Sequence, residues 1–208
     1  MTIRSTLTLI ASSAALLFGA TTAGANPVDV PTAHKASASK TAKPSDVIRR
    51  MMLDKFFDEL KAAKSQSDGN QAMAKIWHVW MNSGRPAVDI TLRQSHALMM
   101  RGALRVALSL ANRAIDMAPT HAEAYNHRAT VHYFRKDYNA AVKDIQKTLR
   151  LEPRHFGAIA GLGFIYIRLE KWAGALKAFE TATKVNPWLH NRAKVMKMLR
   201  LKVTGQAL

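Results

Sequence analysis

Residues 156–187 read FGAIAGLGFIYIRLEKWAGALKAFETATKVNP, and this stretch decides the fold of the 208-residue chain. Its last residue, Pro187, lies 34 positions after Pro153, which in turn lies 34 positions after Pro119. An alanine stands twelve positions before each proline, at Ala107, Ala141 and Ala175. A constant period of 34 is typical of a chain that stacks one small unit, a pair of antiparallel helices. The sequence therefore predicts an all-α solenoid whose function resides on a surface.

Small residues recur at a second position of each unit, namely Ser95, Ala129 and Gly163. The distance between packed helices depends on the side chains at their contact, so small residues at two recurring positions allow two backbones to approach closely. One such unit cannot bury its apolar face alone. Stability is expected from contacts between neighbouring units, with atypical helices at the two ends.

The third unit matches the motif of a known repeat family, W-x2-L-G-x2-Y followed by A-x3-F and P. The matching residues are Ile159, Leu162, Gly163, Tyr166, Ala175, Phe179 and Pro187, with only the leading aromatic replaced. Residues 88–187 thus resemble three tetratricopeptide repeat (TPR) units, at 88–121, 122–155 and 156–187. The chain after its leading segment, with LDKFF at 53–57 and IWHVW at 76–80, is similar to secreted TPR proteins of alphaproteobacteria.

The resemblance implies a right-handed solenoid in which the first helix of each unit lines a concave groove. It also implies binding of peptides or proteins, association with the cell envelope, and neither a cofactor nor catalysis. By this analogy the groove residues are Arg93, His96, Met100, Asn126, His127, Thr130, Tyr133, Phe164 and Arg168. Ordinary core packing is the alternative for the apolar members of this set.

The family's clamp for acidic C-termini uses Lys, Asn and Arg at set positions. Here those positions are Leu92, His96, His127, Gly157 and Gly161, so the resemblance disfavours that ligand.

Two helical stretches precede the repeats, within residues 45–86. The first follows Ser45, a candidate N-cap, and carries an apolar stripe at Val47, Met51, Phe56, Leu60 and Ala63. The second carries Met73, Ile76, Trp77 and Trp80, and we expect it to end before Gly84 and Pro86. Because Trp77 lies 34 positions before Ala111, the hairpin is predicted to be a degenerate repeat that caps one end of the solenoid.

Residues 188–208 are predicted to form a basic capping helix. Its apolar face comprises Leu189, Ala193, Met196 and Leu199, and its polar face is basic. The formal net charge of the chain is +17, and no acid follows Glu180. Lys194, Lys197, Arg200 and Lys202 are therefore predicted to contact an anionic surface, and a merely solvated face is the alternative.

The first 25 residues have the pattern of a secretory signal peptide. Arg4 precedes an apolar core from 7 to 18, and Ala23-Gly24-Ala25 forms a small-residue cleavage site. An uncleaved anchor is the alternative, because no residue from 5 to 28 is charged. The composition of residues 26–44 predicts a disordered linker, either a tether or a spacer that exposes the cleavage site.

Export to the periplasm changes the expected partners of a basic protein. Nucleic acid would be the leading partner in the cytoplasm, but outside it the abundant anions are phospholipid headgroups, phosphorylated glycolipids and acidic proteins. The sequence lacks cysteine, which excludes disulfides and a cysteine-linked lipid anchor. We expect no transmembrane helix in the mature chain.

Neither catalysis nor metal binding is predicted. His121, His127 and His132 are close in sequence, but positions 127 and 132 lie about 140° apart around a helix and cannot chelate one ion side by side. No zinc-protease helix motif, phosphate-binding glycine loop or G-x-S-x-G elbow occurs. Two hypotheses remain: a periplasmic adaptor that binds a protein partner in its groove, and an electrostatic binder of anionic envelope surfaces through its basic tail.

Overall fold

The structure is a computed structural model that describes residues 44–205. The predicted signal peptide and all of the predicted linker except Pro44 lie outside the described residues. Within them the chain forms helices and no strand. The helices are α1 (Pro44–Ala62), α2 (Gln66–Met81), α3 (Pro86–Met100), α4 (Leu104–Met117), α5 (Ala122–Phe134), α6 (Tyr138–Leu151), α7 (Phe156–Arg168), α8 (Trp172–Val185) and α9 (Arg192–Thr204).

Three helical hairpins, α3/α4, α5/α6 and α7/α8, form the stacked repeats, and the prediction of an all-α solenoid of TPR type is confirmed. The first helices of successive units contact each other, α3 with α5 and α5 with α7. As predicted, α2 ends before Gly84 and Pro86, at Met81, and Pro86 begins α3. A first-turn N–H has no partner within the helix, so proline is well tolerated there.

The small residues lie where the helices approach most closely. Ala107, Ala141 and Ala175 are completely buried, and a Cβ added at Gly163 would lie 2.7 Å from the Phe179 ring. Ser95 is also fully buried, and its hydroxyl donates to the carbonyl oxygen of Ala107 at 2.6 Å. The recurring small positions thus set the contact between the two helices of each unit.

The turn between the two helices of each unit contains one residue in the left-handed region. These residues are Gly102 (φ 78°), Lys136 (φ 64°) and Glu170 (φ 55°), again 34 positions apart. Only glycine adopts this conformation without steric cost, so the second and third units tolerate a strained residue that the first avoids.

Helix α9 packs on α8 through Leu199, which is fully buried, and through the partly buried Val195, Met196 and Met198. Ala193, expected on the apolar face, is exposed instead. The packed face is therefore rotated slightly from the one that the sequence indicated.

The N-terminal hairpin, α1 and α2, forms, but its details and its place differ from the prediction. Helix α1 begins at Pro44, before the predicted N-cap Ser45, and Val47 and Met51 of the predicted apolar stripe are exposed. The two helices run antiparallel, since the Arg49 guanidinium near the start of α1 donates to the carbonyl of Asn82 just after α2. Their shared core includes Leu53, Leu60 and Ile76. That core continues into Phe156 and the segment Trp188–Leu189, at the far end of the repeats, so the hairpin does not stack on α3 and α4 as a further repeat.

Hydrogen bonds hold the hairpin in this position. The Trp188 indole N–H donates to the carbonyl of Leu60 at 3.1 Å, and the Gln66 amide donates to the carbonyl of Trp188 at 3.0 Å. Arg154, in the turn before α7, donates to the Asp54 carboxylate at 2.7 Å. The hairpin therefore lies along the edge where the second repeat turns into the third and where the third repeat ends.

No helix within residues 44–205 is both long enough and apolar enough to span a membrane.

Candidate functional site

The structure places the nine predicted groove residues on the first helices of the repeats, but with different exposure. Arg93, His96, Met100 and Arg168 are exposed, while Asn126, Thr130, Tyr133 and Phe164 are half-buried. His127 is buried at 7 % exposure. Eight of the nine side chains thus remain at least partly accessible.

His127 is part of the helix interface and does not face a ligand. Its Nε2 lies 2.7 Å from the Ser95 hydroxyl oxygen, and because that hydroxyl donates to Ala107, the histidine must be the donor. Burial lowers the pKa of His127 to about 4, so the ring is neutral. The side chain serves to join α3 to α5, since a buried polar group needs a partner.

A second buried pair repeats this arrangement one unit later. His155 Nδ1 accepts from the backbone N–H of Ala158 at 3.1 Å and so caps α7. Its Nε2 must then carry the proton, which it donates to the Glu123 carboxylate at 3.0 Å. Glu123 also accepts from the Asn126 amide at 3.0 Å, so Asn126 is partly committed to an internal bond.

The C-terminal ends of α5 and α7 carry an accessible patch of aromatic residues and arginine. Tyr133 contacts Phe134 and Tyr138 with ring centroids 5.7 Å and 5.9 Å apart. The Arg168 guanidinium lies 3.4 Å from the Tyr138 hydroxyl, and this hydrogen bond raises the pKa of Arg168. Burial raises the pKa of Tyr133, so its hydroxyl remains protonated and able to donate. We call Tyr133, Phe134, Tyr138 and Arg168 the aromatic–arginine patch.

Phe134 and Tyr138 were not among the predicted residues. Phe134 is 46 % exposed, and its ring contacts that of Tyr133. The signal in the sequence was the adjacent aromatic pair Tyr133-Phe134 at the end of a first helix. Tyr138 begins the second helix of its unit, outside the helices that the analogy considered.

The other end of the first helices is covered by the N-terminal hairpin. The Trp77 ring lies against Gly157, where an added Cβ would be 2.9 Å from it. The Trp80 ring stacks on His155 with centroids 4.0 Å apart and planes at 11°. Gly157 is one of the positions that correspond to the family's clamp, and this chain's own Trp77 covers it.

The three neighbouring histidines do not converge. His132 faces Asp137 at 3.5 Å and Asp144 at 3.9 Å, whereas His127 faces Ser95. Burial together with the nearby Arg49 lowers the pKa of His121 to about 4. Among residues 44–205 no group of three or more His, Asp or Glu could hold a metal ion.

Of the four basic residues predicted to contact an anionic surface, two line a common cavity and two lie outside it. Lys197 and Arg200 join Arg192 around an open cavity of about 510 Å³ between α8 and α9, with Met196 and Leu201 also lining it. Lys202 lies 5.6 Å from the centre of the Trp172 ring, and Lys194 is exposed but does not line the cavity. None of these cations has an ion-pair partner in the described part of the chain.

Known proteins resemble this chain in sequence and in fold. The family model described as anaphase-promoting complex, cyclosome, subunit 3 matches residues 100–182. A TPR repeat-containing protein of Rhizobium etli is 27 % identical over 156 residues, which cover 75 % of this chain and 76 % of the relative.

Two solved structures share the fold. The first TPR of Spaghetti (RPAP3), bound to the HSP90 peptide SRMEEVD, superposes with a TM-score of 0.53 at 15 % identity, covering 57 % of this chain and 94 % of that one. MamA superposes with a TM-score of 0.51 at 17 % identity, covering 75 % and 83 %. The 34-residue recurrence, the stacked helical hairpins and these likenesses together show that the described part of the chain is built from repeats of the tetratricopeptide type.

Proposed function

We propose that this protein is an adaptor that binds a segment of a partner protein on the inner helices of its repeats. The observation that carries the proposal is the aromatic–arginine patch, which stays accessible at the end of the groove that the N-terminal hairpin leaves open. Aromatic residues and arginine are enriched at binding hot spots, because they combine apolar contact area with directed hydrogen bonds. Related TPR domains bind peptides, as in the RPAP3 complex, which supports this class of function.

The charges on the groove indicate the chemistry of the partner. Arg93 and Arg168 are exposed, and an arginine can bind a carboxylate through two parallel hydrogen bonds. The clamp positions for an acidic C-terminus lack cations here, and Trp77 covers one of them. We therefore propose an internal apolar segment of the partner, with an acidic residue placed to reach Arg168.

We also propose that the adaptor acts in the periplasm and supports the integrity or assembly of the cell envelope. The support is the signal-peptide pattern of the first 25 residues and the resemblance to secreted TPR proteins. Amino-terminal sequencing of the protein recovered from the periplasmic fraction should give a start at or near Asn26. Recovery of the chain with an intact leading segment in the membrane fraction would contradict this location.

Crosslinking pull-downs from periplasm test the adaptor function. The variant Phe134→Ala/Arg168→Ala should lose at least about 90 % of the partner captured by wild type, because such hot-spot truncations each cost about 1 kcal/mol or more. The matched control is Val106→Ala/Arg150→Ala, which removes an equally exposed apolar residue and an exposed arginine from the second helices. Equal capture by both variants would show that the patch is not the site.

A second candidate function is electrostatic attachment to an anionic envelope surface, and we propose it from one observation. Arg192, Lys197 and Arg200 line a single cavity with no acidic residue among its lining residues. Vesicles that contain anionic phospholipid should bind wild type and release it as salt is raised. Lys197→Gln/Arg200→Gln should lose binding more than Lys194→Gln/Lys202→Gln, which removes the same charge outside the cavity. Salt-insensitive binding to neutral vesicles would contradict this function.

A further inference from the structure

The N-terminal hairpin contacts the inner helices in the manner of a bound helical ligand. Trp77 lies in a recess that exists because Gly157 has no side chain, and Trp80 stacks on the flat face of His155. Phe156 contacts both rings, with its ring centre 5.8 Å from that of Trp77 and 4.9 Å from that of Trp80. The edge formed by His155, Phe156 and Gly157, which we call the docking edge, therefore accepts two aromatic side chains spaced three residues apart on one helix.

Charges on the hairpin complement those beside the docking edge. Asp54 on α1 receives a hydrogen bond from Arg154 at 2.7 Å. At the other end of α1, Arg49 lies in the electrostatic field of Glu152 and Asp89. A ligand for this edge should thus carry a basic residue near one end of its contact and an acidic residue near Arg154.

The docked tryptophans are not ideally satisfied. The indole N–H groups of Trp77 and Trp80 are both buried without a hydrogen-bond partner in the described residues. A buried donor without an acceptor loses its bond to water on docking, so release of the hairpin would recover two such bonds. A ligand with phenylalanine at both positions would keep the aromatic contacts and avoid this cost.

The hairpin can leave the edge without disrupting a repeat. Leu53, Leu60 and Ile76 form a core between α1 and α2, so the hairpin retains apolar contacts of its own. Its covalent connection to the repeats is the segment 82–85, where Gly84 adopts a φ of 74°. The hydrogen bonds of this linker are local: Gly84 N–H donates to the Asn82 side chain, and Ser83 N–H donates to Asp89, both at 2.9 Å.

We propose that the docking edge is a second protein-binding site, specific for an amphipathic helix with two aromatic residues three positions apart. The N-terminal hairpin occupies this site in cis, and a partner helix of that chemistry competes with it. This inference rests on the proposed adaptor function and adds a contact area whose access the hairpin controls. The hairpin covers the docking edge but leaves the aromatic–arginine patch open, so the two areas are separable.

A peptide taken from the chain itself tests the proposal. A fluorescently labelled peptide of residues 65–82 is titrated into the full chain, as wild type, as Trp77→Ala and as His78→Ala. His78 is exposed on the same helix and serves as the matched control. Loss of Trp77 weakens the contact between the hairpin and the docking edge. Because the apparent affinity for the peptide rises with the fraction of molecules whose docking edge is free, we expect the Trp77→Ala chain to bind the peptide at least about tenfold more tightly than wild type or His78→Ala does. A peptide with Phe in place of both tryptophans should bind Trp77→Ala more tightly still.

Two further variants separate a specific site from adventitious contact. Adding Gly157→Leu to Trp77→Ala fills the recess and should abolish peptide binding. Asp54→Arg places like charges opposite Arg154 and should raise the fraction of molecules with a released hairpin without touching its core. Hydrogen exchange of residues 44–81 reports the release directly.

Three results would overturn the proposal. The first is equal peptide binding by wild type and Trp77→Ala. The second is no binding by Trp77→Ala or Asp54→Arg although exchange shows the hairpin released, and the third is full protection of the hairpin in both variants. These results would not decide the adaptor function, because its test uses Phe134, Arg168 and a periplasmic partner.

Discussion

Replacing Trp80 by alanine should destabilise the attachment of the N-terminal hairpin more than any other single change in α2. Trp80 is 1 % exposed, and its ring contacts those of His155, Phe156, Phe57 and Trp77, with the His155 ring stacked at 4.0 Å. Burying about 150–250 Å² of aromatic surface at about 25 cal/mol per Å² contributes about 4–6 kcal/mol.

One opposing contribution reduces this figure. The Trp80 indole N–H is buried without an acceptor in the described residues, and such a group costs about 1–3 kcal/mol. The alanine variant removes that cost together with the ring. The net loss of unfolding free energy should therefore be about 3 kcal/mol, at the lower end of the range of about 3–5 kcal/mol for Trp→Ala in a core.

Trp80→Phe separates the two contributions. Phenylalanine keeps a ring against His155 and has no N–H, so its net cost should be below about 1 kcal/mol. Urea unfolding followed by circular dichroism gives the free energies, and hydrogen exchange shows whether α1 and α2 lose protection while α7 and α8 keep theirs. The reasoning fails if Trp80→Phe is as destabilising as Trp80→Ala, or if Trp80→Ala costs less than about 1 kcal/mol.

Three further predictions concern the repeats themselves. Lys136→Gly and Glu170→Gly should each raise the unfolding free energy by about 0.5–1 kcal/mol, since both residues have positive φ. Gly102→Ala should lower the unfolding free energy by about 1 kcal/mol, and thermal denaturation of the three variants checks the opposite signs. Gly163→Val should cost at least about 1–3 kcal/mol in chemical denaturation, because its Cβ would lie 2.7 Å from Phe179, whereas Gly161→Ala, whose Cβ would lie at an ordinary 3.7 Å from Ile145, should be tolerated. The pKa of His127 in the folded state is lowered from 6.5 to about 4, so between these pH values the unfolded chain binds more protons than the folded chain and stability falls as pH is lowered. The slope of unfolding free energy against pH should become shallower in His127→Gln, and an unchanged slope would refute this role.

The repeats could be predicted because their information is local and recurs. Each unit contains its own small residues, and Ala107, Ala141 and Ala175 are all buried where the period indicated. The accessibility of eight of the nine predicted groove residues agrees with the same helical phase. His127 shared that phase but differs in the structure, since Ser95 on the neighbouring helix offers it a hydrogen-bond partner inside the interface.

The sequence by itself determined the helices and the three repeats, because 34-residue periodicity and helical phase depend on residues close together in the chain. Only the tertiary structure decided where the N-terminal hairpin lies. Its place depends on the fit of Trp77 to Gly157 and of Leu60 to Trp188, residues 80 and 128 positions apart, and no local pattern encodes that fit. The 34-residue spacing of Trp77 from Ala111 predicted that the hairpin packs against the first repeat. The apolar core of the hairpin instead continues into Phe156 and Trp188, near the other end of the repeats.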